Sequence, residues 1–368
     1  MKTILFAALL FTTPVLAQRV VSPEVGTDGR VTFRLSAPDA HSVEVHCQDV
    51  SHSAMQKDDH GVWSLTTDPL APDFYDYSFT VDGVHLTDPS NPRLKYNLIN
   101  TENQVHVPGP SSLSWEINDV PHGVLHHHFY HSAVAGDDRD FIVYTPPGYE
   151  SSARKHYPVL YLLHGYSDDA SAWSTAGRAN VILDNLIARG QAKPMVVVMP
   201  LGYGTMDIVK DGWSRLQQPG LWQQNVDKFT DTLLNEVMPQ VESSYHVSKD
   251  RKAHAIAGLS MGGTESLVTG LNHLDRFAYV GSFSAGGLST NYVTQFPALD
   301  SSANDKLQLL WIACGKSDGL LQGNQQFCDW LTSKGIHFSW TELEGQHTYL
   351  VWRRNLTEFA PLLFQDGK

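Results

Sequence analysis

The chain has 368 residues, 42% of them hydrophobic and 18% charged, a balance that excludes a disordered polypeptide and is long enough for two folded domains. Its 26 basic and 39 acidic residues give a formal net charge of −13, which argues against a nucleic-acid groove or any other polyanionic partner. Three cysteines, Cys47, Cys314 and Cys328, are too few for a disulfide-built fold. Cys314 and Cys328 can either pair or stay as buried thiols, and the second reading is preferred.

Residues 1–17, "MKTILFAALLFTTPVLA", combine Lys2 with an apolar run and small residues before Gln18. That is the pattern of a cleavable secretory signal, so the protein is expected to be secreted or periplasmic, with no membrane anchor. From residue 18 to 107 apolar residues alternate: Val31, Phe33 and Leu35 in "VTFRL", Val43, Val45 and Cys47 in "VEVHC", and Tyr75, Tyr77, Phe79 and Val81 in "YDYSFTV". Asp82-Gly83 before "VHL" supplies a tight hairpin turn. The expectation is a small antiparallel, immunoglobulin-like β-sandwich, with Trp63 and the Tyr/Phe ladder in its core.

Residues 108–120 are rich in Pro, Gly and Ser and read as a linker. Next, "VLHHHFYHS" offers His126, His127, His128 and His131. Neighbouring side chains on a strand point to opposite faces, so the run is read as a polar strand paired with "DFIVYTPPGY", and no metal site is assigned. Beyond it "PVLYLLHG", "PMVVVMP", "AHAIAGLS", "YVGSFSA" and "LQLLWIACG" are short apolar runs separated by helical patterns. One of these, "VDKFTDTLLNEVMPQVESSY", carries Pro239 as a potential bend. Buried parallel strands alternating with helices specify an α/β fold, a doubly wound sheet over residues 121–368.

Gly258-Leu259-Ser260-Met261-Gly262 is a GxSxG, and Gly315-Lys316-Ser317-Asp318-Gly319 is a second. Only the first runs from a strand straight into a helix with small residues on both sides, as a nucleophile elbow requires. The second is better explained by Asp318, an acid at the C-terminal end of a strand. His347, on a Gly-led loop after the last strand and before the last helix, completes the order nucleophile, acid, base. In that arrangement Asp318 orients His347, His347 takes the proton of Ser260, and an acyl-enzyme forms. The oxyanion then falls to the N–H of Met261 and that of Tyr166, in the loop after "LYLLHG". His164 comes too early in the chain to be the base and is read as structural. Trp173, Tyr203 and Trp352, near strand ends, are candidate contacts for an aromatic acyl group, and "DGWSRLQQPGLW" is either a flap or a packed loop.

"YPVLYLLHGYSDDASAW", "GRANVILDNLI", "AHAIAGLSMGG", "LLWIACGKSD" and "GQHTYLVW" occur in an order that resembles the feruloyl esterase and acetyl xylan esterase family, the esterase D-like α/β hydrolases. The order "GVW" and "DFYDYSFTVDGVHLTDPSNP" is similar to the sandwich domains, carbohydrate-binding-module-like, that precede catalytic domains in glycogen-branching and related enzymes. The first resemblance implies the same triad, Met261 as an oxyanion donor, and hydroxycinnamoyl esters of plant arabinoxylan as substrate; the chemistry read from the residues requires no metal or cofactor. Acetyl xylan esterase, catechol siderophore esterase, mycolyl-type acyltransferase and a non-enzymatic glycan-binding protein remain as alternatives. Oligomeric state is left open.

Overall fold

A computed structural model of the protein describes residues 20–151, 154 and 156–365. The expected signal segment, residues 1–17, lies outside them. The N-terminal strands are β1 (Glu24–Val25), β2 (Val31–Ser36), β3 (Val43–Cys47), β4 (Gln56–Lys57), β5 (Val62–Thr66), β6 (Asp73–Val81), β7 (Val84–Leu86), β8 (Leu94–Lys95) and β9 (Glu102–Val107). They form two antiparallel sheets, ordered β1-β2-β5-β4 and β3-β6-β9-β8, with β7 paired to β6. Period-two alternation decides which faces meet. Val31, Phe33 and Leu35 from one sheet close on Val43, Val45, Tyr77, Phe79 and Val105 from the other. Trp63 is buried in the same core, its Nε1–H donating to the Ala37 carbonyl (2.9 Å). Asp82 (φ 47°) and Gly83 (φ 84°) make the two-residue turn between β6 and β7, where both central residues need positive φ.

The second unit is built on an eight-stranded sheet of β10 (Val124–Ser132), β11 (Asp137–Thr145), β12 (Val159–Leu163), β13 (Val196–Pro200), β14 (His254–Leu259), β15 (Tyr279–Phe283), β16 (Leu309–Gly315) and β17 (Ser339–Leu343). Its order is β10-β11-β13-β12-β14-β15-β16-β17, antiparallel through β10, β11 and β13 and parallel from there on. The helices are α1 (Ala172–Thr175), α2 (Ala179–Ala188), α3 (Leu221–Thr232), α4 (Met238–Ser244), α5 (Met261–Asn272), α6 (Tyr292–Gln295), α7 (Leu321–Ser333) and α8 (Tyr349–Phe359). Two apolar clusters pack the two faces of the sheet. One takes side chains from α1, α2 and α8, the other from α3, α4, α5 and α7. This is the α/β-hydrolase sheet preceded by a β-sandwich. The strands read as continuous apolar runs because both faces are covered.

The irregularities have local causes. Between α3 and α4 the backbone widens to a π-helical stretch, Leu233–Val237, two residues short of Pro239, whose missing N–H and bulky ring disfavour continued i→i−4 bonding. The histidines of β10 go to separate partners: His127 to Asp140 (2.6 Å), His131 to Asp138 (2.9 Å), His128 to Tyr245 (2.5 Å) and His126 to Thr145 (3.1 Å). The 108–120 segment is not a free tether. Asn185 of α2 donates to the Ser114 and Glu116 carbonyls (both 2.8 Å), Arg178 donates to the Trp115 carbonyl (2.8 Å), and Trp115 is buried. Cys47, Cys314 and Cys328 are free thiols, all buried.

The outer face of β6 docks on α8, so its residues are buried on both sides although the alternation predicts one. At the junction Arg353, fully buried, donates to Asp73 (Nε to Oδ1, 2.9 Å), to the Phe74 carbonyl (2.6 Å) and to the Ala176 carbonyl (2.6 Å). Arg354 reaches the other Asp73 oxygen (3.0 Å). Removing one partner of such a pair strands a charge in low dielectric. Asp73→Ala is therefore expected to lower unfolding free energy by about 3–5 kcal/mol, measured as a shift in the urea midpoint.

Candidate active site

Strand β14 and helix α5 meet at Ser260, whose backbone stands at φ 53°, ψ −115°. This is a region that a residue with a Cβ adopts only under external constraint, at a cost of about 1–3 kcal/mol. The constraint is visible. Ser260 N–H donates to the Phe283 carbonyl (2.9 Å), and its own carbonyl accepts from Gly286 (2.9 Å) and Thr264 (3.2 Å). Close approach does the rest. A Cβ on Gly258 would stand 2.4 Å from the Gly262 carbonyl oxygen, and one on Gly262 would stand 2.5 Å from the His164 carbonyl oxygen. A Cβ on Gly165 would stand 2.6 Å from Leu259 Cδ1, and one on Gly286 would crowd Ser260 Oγ at 3.2 Å. The small residues in this stretch are the condition for strand, helix and the 164–166 loop to converge.

The three side chains singled out from sequence come together. Ser260 Oγ–H donates to His347 Nε2 (2.9 Å), and His347 Nδ1–H donates to Asp318 Oδ2 (2.8 Å). Asp318 caps the strand end of β16 and accepts the Leu320 N–H at Oδ1 (2.8 Å). Burial pushes its carboxyl up, but hydrogen bonding and the charge of His347, the Leu320 amide and Ser284 outweigh this and hold it below the ordinary carboxylate range. An acid kept ionised beside Nδ1 fixes the tautomer that leaves Nε2 free to accept. Trp352 packs edge-on against the imidazole, ring centres 4.8 Å apart. Its Nε1–H donates to Ser284 Oγ (3.3 Å).

Met261 opens α5, so its N–H is among the first-turn amides that a helix leaves without an intrahelical acceptor, at the positive end of the dipole. Tyr166 lies in the turn Gly165–Asp168, closed by Asp168 N–H to the Gly165 carbonyl (3.2 Å) with Ser167 at φ 69°. Its phenol reaches the Ile208 and Gly212 carbonyls (2.8 Å each). His164 is enclosed. Nδ1–H donates to the Gly165 carbonyl (2.8 Å) and Nε2 accepts from Gly202 N–H (2.8 Å), and burial lowers its pKa, so it stays neutral and shapes the loop.

Two of the three aromatic contacts expected from sequence are corrected. Trp173 is 1% exposed, packs between Phe283 and Tyr349, and donates to the Leu163 carbonyl (2.8 Å). Tyr203 is likewise fully buried, its hydroxyl donating to the Asp168 carbonyl (2.9 Å). Both support the floor of the site and present no free face. Trp352, 6% exposed, acts on the imidazole edge as described. Tyr203 belongs to an apolar cluster with Tyr166, Ile208, Leu221 and Met261, joined by Ile99, Leu216 and Trp222, that packs beside Ser260. The 211–222 stretch is packed at both ends. Trp213 is half-exposed and tilts over Tyr166 (4.7 Å), and Trp222 would clash with a Cβ on Gly287.

Several contributors escaped the sequence reading. Ser284 and Gly286 follow β15 in "SFSAGG", where a cluster of small residues at a strand end was the available signal. Glu265, one turn into α5, is fully enclosed, and burial pushes its carboxyl well above the ordinary range. Asn225 of α3 donates to it (3.2 Å) while accepting the N–H groups of Gly204 and Thr205 (3.0 and 3.3 Å), fixing the loop after β13. Nothing in their spacing marks those two residues.

Two outcomes follow from this geometry. Gly262→Ala should lose about 1–3 kcal/mol of stability through overpacking and should also misplace Ser260, read as a lowered thermal midpoint with lost turnover. For Asp318 the folded pKa lies below the unfolded value of about 3.9. Its stabilising contribution is thus present above that pH and is lost as pH falls through the folded pKa. The stability gap between the wild type and Asp318→Asn should be full at pH 7 and shrink on acidification below about 4, followed by thermal melts across the range.

Residues 132–363 match the esterase family. The chain is 30% identical over 351 residues to the endo-1,4-beta-xylanase/feruloyl esterase of Xylanibacter ruminicola, covering 93% of this chain but only 46% of that longer protein. It is 23% identical to the acetyl esterase of Caldicellulosiruptor saccharolyticus, over 53% of this chain and 79% of the relative. Among solved structures, the enterochelin esterase of Shigella flexneri superposes with a TM-score of 0.68 at 18% identity, covering 95% of this chain and 96% of that one. A ferulic acid esterase from the anaerobic fungus Anaeromyces mucronatus superposes at 0.60 and 24% identity, covering 70% and 96%. At those identities the two structures speak for the fold alone. Profile and relative together place the chain: it belongs to the esterase family of the α/β hydrolases.

Proposed function

We propose that this protein is an exported serine carboxylic-ester hydrolase that releases ferulic or related hydroxycinnamic acids from plant polysaccharide through an acyl-enzyme. The observation that carries the mechanism is the chain of two hydrogen bonds, Ser260 to His347 (2.9 Å) and His347 to Asp318 (2.8 Å), on a strained strand-to-helix turn. As Ser260 Oγ attacks the ester carbonyl, its proton passes to His347 Nε2, and the imidazolium is stabilised by Asp318. The carbonyl oxygen gathers negative charge and is met by the N–H groups of Met261 and Tyr166, which are preorganised by the helix start and the 165–168 turn. His347 then protonates the leaving alcohol. A water molecule, deprotonated by the same nitrogen, releases the acid and restores Ser260. No step calls for a metal or cofactor.

The substrate is argued from two supports. The exposed Trp213 and the partly buried Trp222, packed against the Tyr166 and Met261 cluster, offer aromatic faces that suit a planar aryl acyl group. The Xylanibacter relative, named for xylanase and feruloyl esterase activity, shares 30% identity. A catechol siderophore ester is the second reading, favoured because the Shigella enterochelin esterase corresponds over both units while the fungal ferulic acid esterase corresponds over 70% of this chain. The abundant acid residues, net −13, work against an anionic iron complex.

The test offers methyl ferulate, acetylated xylan and a catechol siderophore to the purified protein in parallel with Ser260→Ala. Ferulate release is expected to dominate and to fall at least roughly a thousandfold in the variant. Preferential hydrolysis of the siderophore would replace the substrate reading, and undiminished turnover by Ser260→Ala would end the mechanistic one.

A further inference from the structure

The turn that presents the Tyr166 N–H has no sheet or helix of its own, yet it is gripped from both sides at one buried residue. Asp168, 4% exposed, accepts the Tyr349 hydroxyl at Oδ2 (2.8 Å) and Asn97 Nδ2 at Oδ1 (3.1 Å). Tyr349 lies two residues beyond His347. Asn97 comes from the N-terminal unit, in the connection between β8 and β9. The same amide donates to Ser167 Oγ (2.9 Å), and Leu98 N–H donates to the Ser167 carbonyl (2.7 Å). Asn97 is itself fixed, its Oδ1 accepting the N–H groups of Ile99 and Asn100 (3.0 Å each). Ile99 continues into the apolar cluster around Tyr166 and Met261. Lys95, on β8, is the cation of this corner, with its ammonium 3.3 Å from Asp76 and over the Tyr349 ring.

Building on the assignment of Ser260 as nucleophile and Tyr166 N–H as oxyanion donor, we propose that Asn97 and Asp168 are positioning residues. They lock the Gly165–Asp168 turn to the His347 segment and to the sandwich, so that the N-terminal unit completes the oxyanion hole of the hydrolase unit. The physical need is plain. An oxyanion donor acts only at about 2.7–3.1 Å from the developing charge. Ser167 at φ 69° makes the turn prone to relax once released. A residue that fixes the donor contributes to the transition state and not to the ground-state complex, so its loss belongs in kcat.

The experiment uses the full chain and 4-nitrophenyl acetate, an ester too small to depend on contacts with a polymer. It compares Asn97→Ala, Asp168→Asn, Asp168→Ala and Ser260→Ala. The readouts are kcat, KM, the thermal midpoint and the Ki of an aryl trifluoromethyl ketone, whose adduct with Ser260 carries the oxyanion. Asn97→Ala is expected to lower kcat about tenfold or more with KM within about twofold, and to weaken the ketone by the same factor as kcat. Asp168→Asn, which keeps one accepting oxygen, should fall between the wild type and Asp168→Ala. Asn97 lies in a loop, so its variant remains informative if Asp168→Ala does not fold. Wild-type kcat in Asn97→Ala would overturn the proposal. So would a loss of kcat with ketone affinity unchanged, because that is the mark of general loosening. Full turnover by Ser260→Ala would overturn the underlying nucleophile assignment instead, whatever Asn97 does.

Discussion

The close approach of β14, α5 and the 164–166 loop at Ser260 is the constraint on which the rest of the molecule depends. Three backbones pass within a distance that excludes a Cβ at Gly258 and Gly262, and the price is a serine held at φ 53°. Strain of that kind persists only where the surroundings over-determine it. Here the over-determination is supplied by the hydrogen bond that Ser260 donates to Phe283, by those it accepts from Gly286 and Thr264, and by the parallel sheet beneath, which anchors β14 between β12 and β15. In return, one residue stands at the end of a strand and the start of a helix. Its hydroxyl faces the loops at the strand ends, while the next amide sits at the positive end of a helix dipole.

The other members of the site hang from the same sheet edge. Asp318 follows β16 and His347 follows β17, so the order of the parallel strands translates directly into the order of carboxylate and imidazole around the serine. Ser284, after β15, fills the gap between them. It is also held at positive φ, touches Trp352 and helps keep Asp318 ionised. Strand order therefore explains why residues 58 and 29 positions apart in the chain share one hydrogen-bonded line without any long excursion of the backbone.

How much of this the amino-acid sequence carried depends on whether a feature is periodic or relational. The inward positions of β2, β3 and β6, the Asp82-Gly83 turn and the apolar parallel strands were legible because burial on one or two faces writes a period into the residues themselves. Ser260 was legible because backbone proximity demands glycine, and glycine is visible. Trp173 and Tyr203 were misread for a related reason. An aromatic near a strand end satisfies both a substrate slot and a core, and only the presence of a hydrogen-bond acceptor, Leu163 for one and Asp168 for the other, separates the two. Asn97, Asp168, Asn225 and Glu265 left no trace because each matters through a partner tens or hundreds of positions away. The 108–120 segment shows the converse limit. Proline and glycine announced the absence of regular structure, which is not the absence of packing, and Trp115 and the α2 side chains hold it in place.

The junction between the two units follows the same relational logic and bears on what the sandwich is for. A module that serves only to bring an enzyme to a polymer needs a linker and an outward-facing binding surface, and its interface with the catalytic unit is expected to be small and wet. Here β6 is buried on both faces, Arg353 is wholly enclosed by Asp73, Phe74 and Ala176, and the connection between β8 and β9 bonds to the loop beside Ser260. A buried ion pair of this sort adds little net stability compared with apolar packing, but it penalises every misaligned docking in which a charge is left alone. Register between the units is thereby fixed to one arrangement. That arrangement places Asn97 against Asp168 and Ile99 on the apolar cluster that holds Tyr166, so the sandwich reaches the loop beside Ser260.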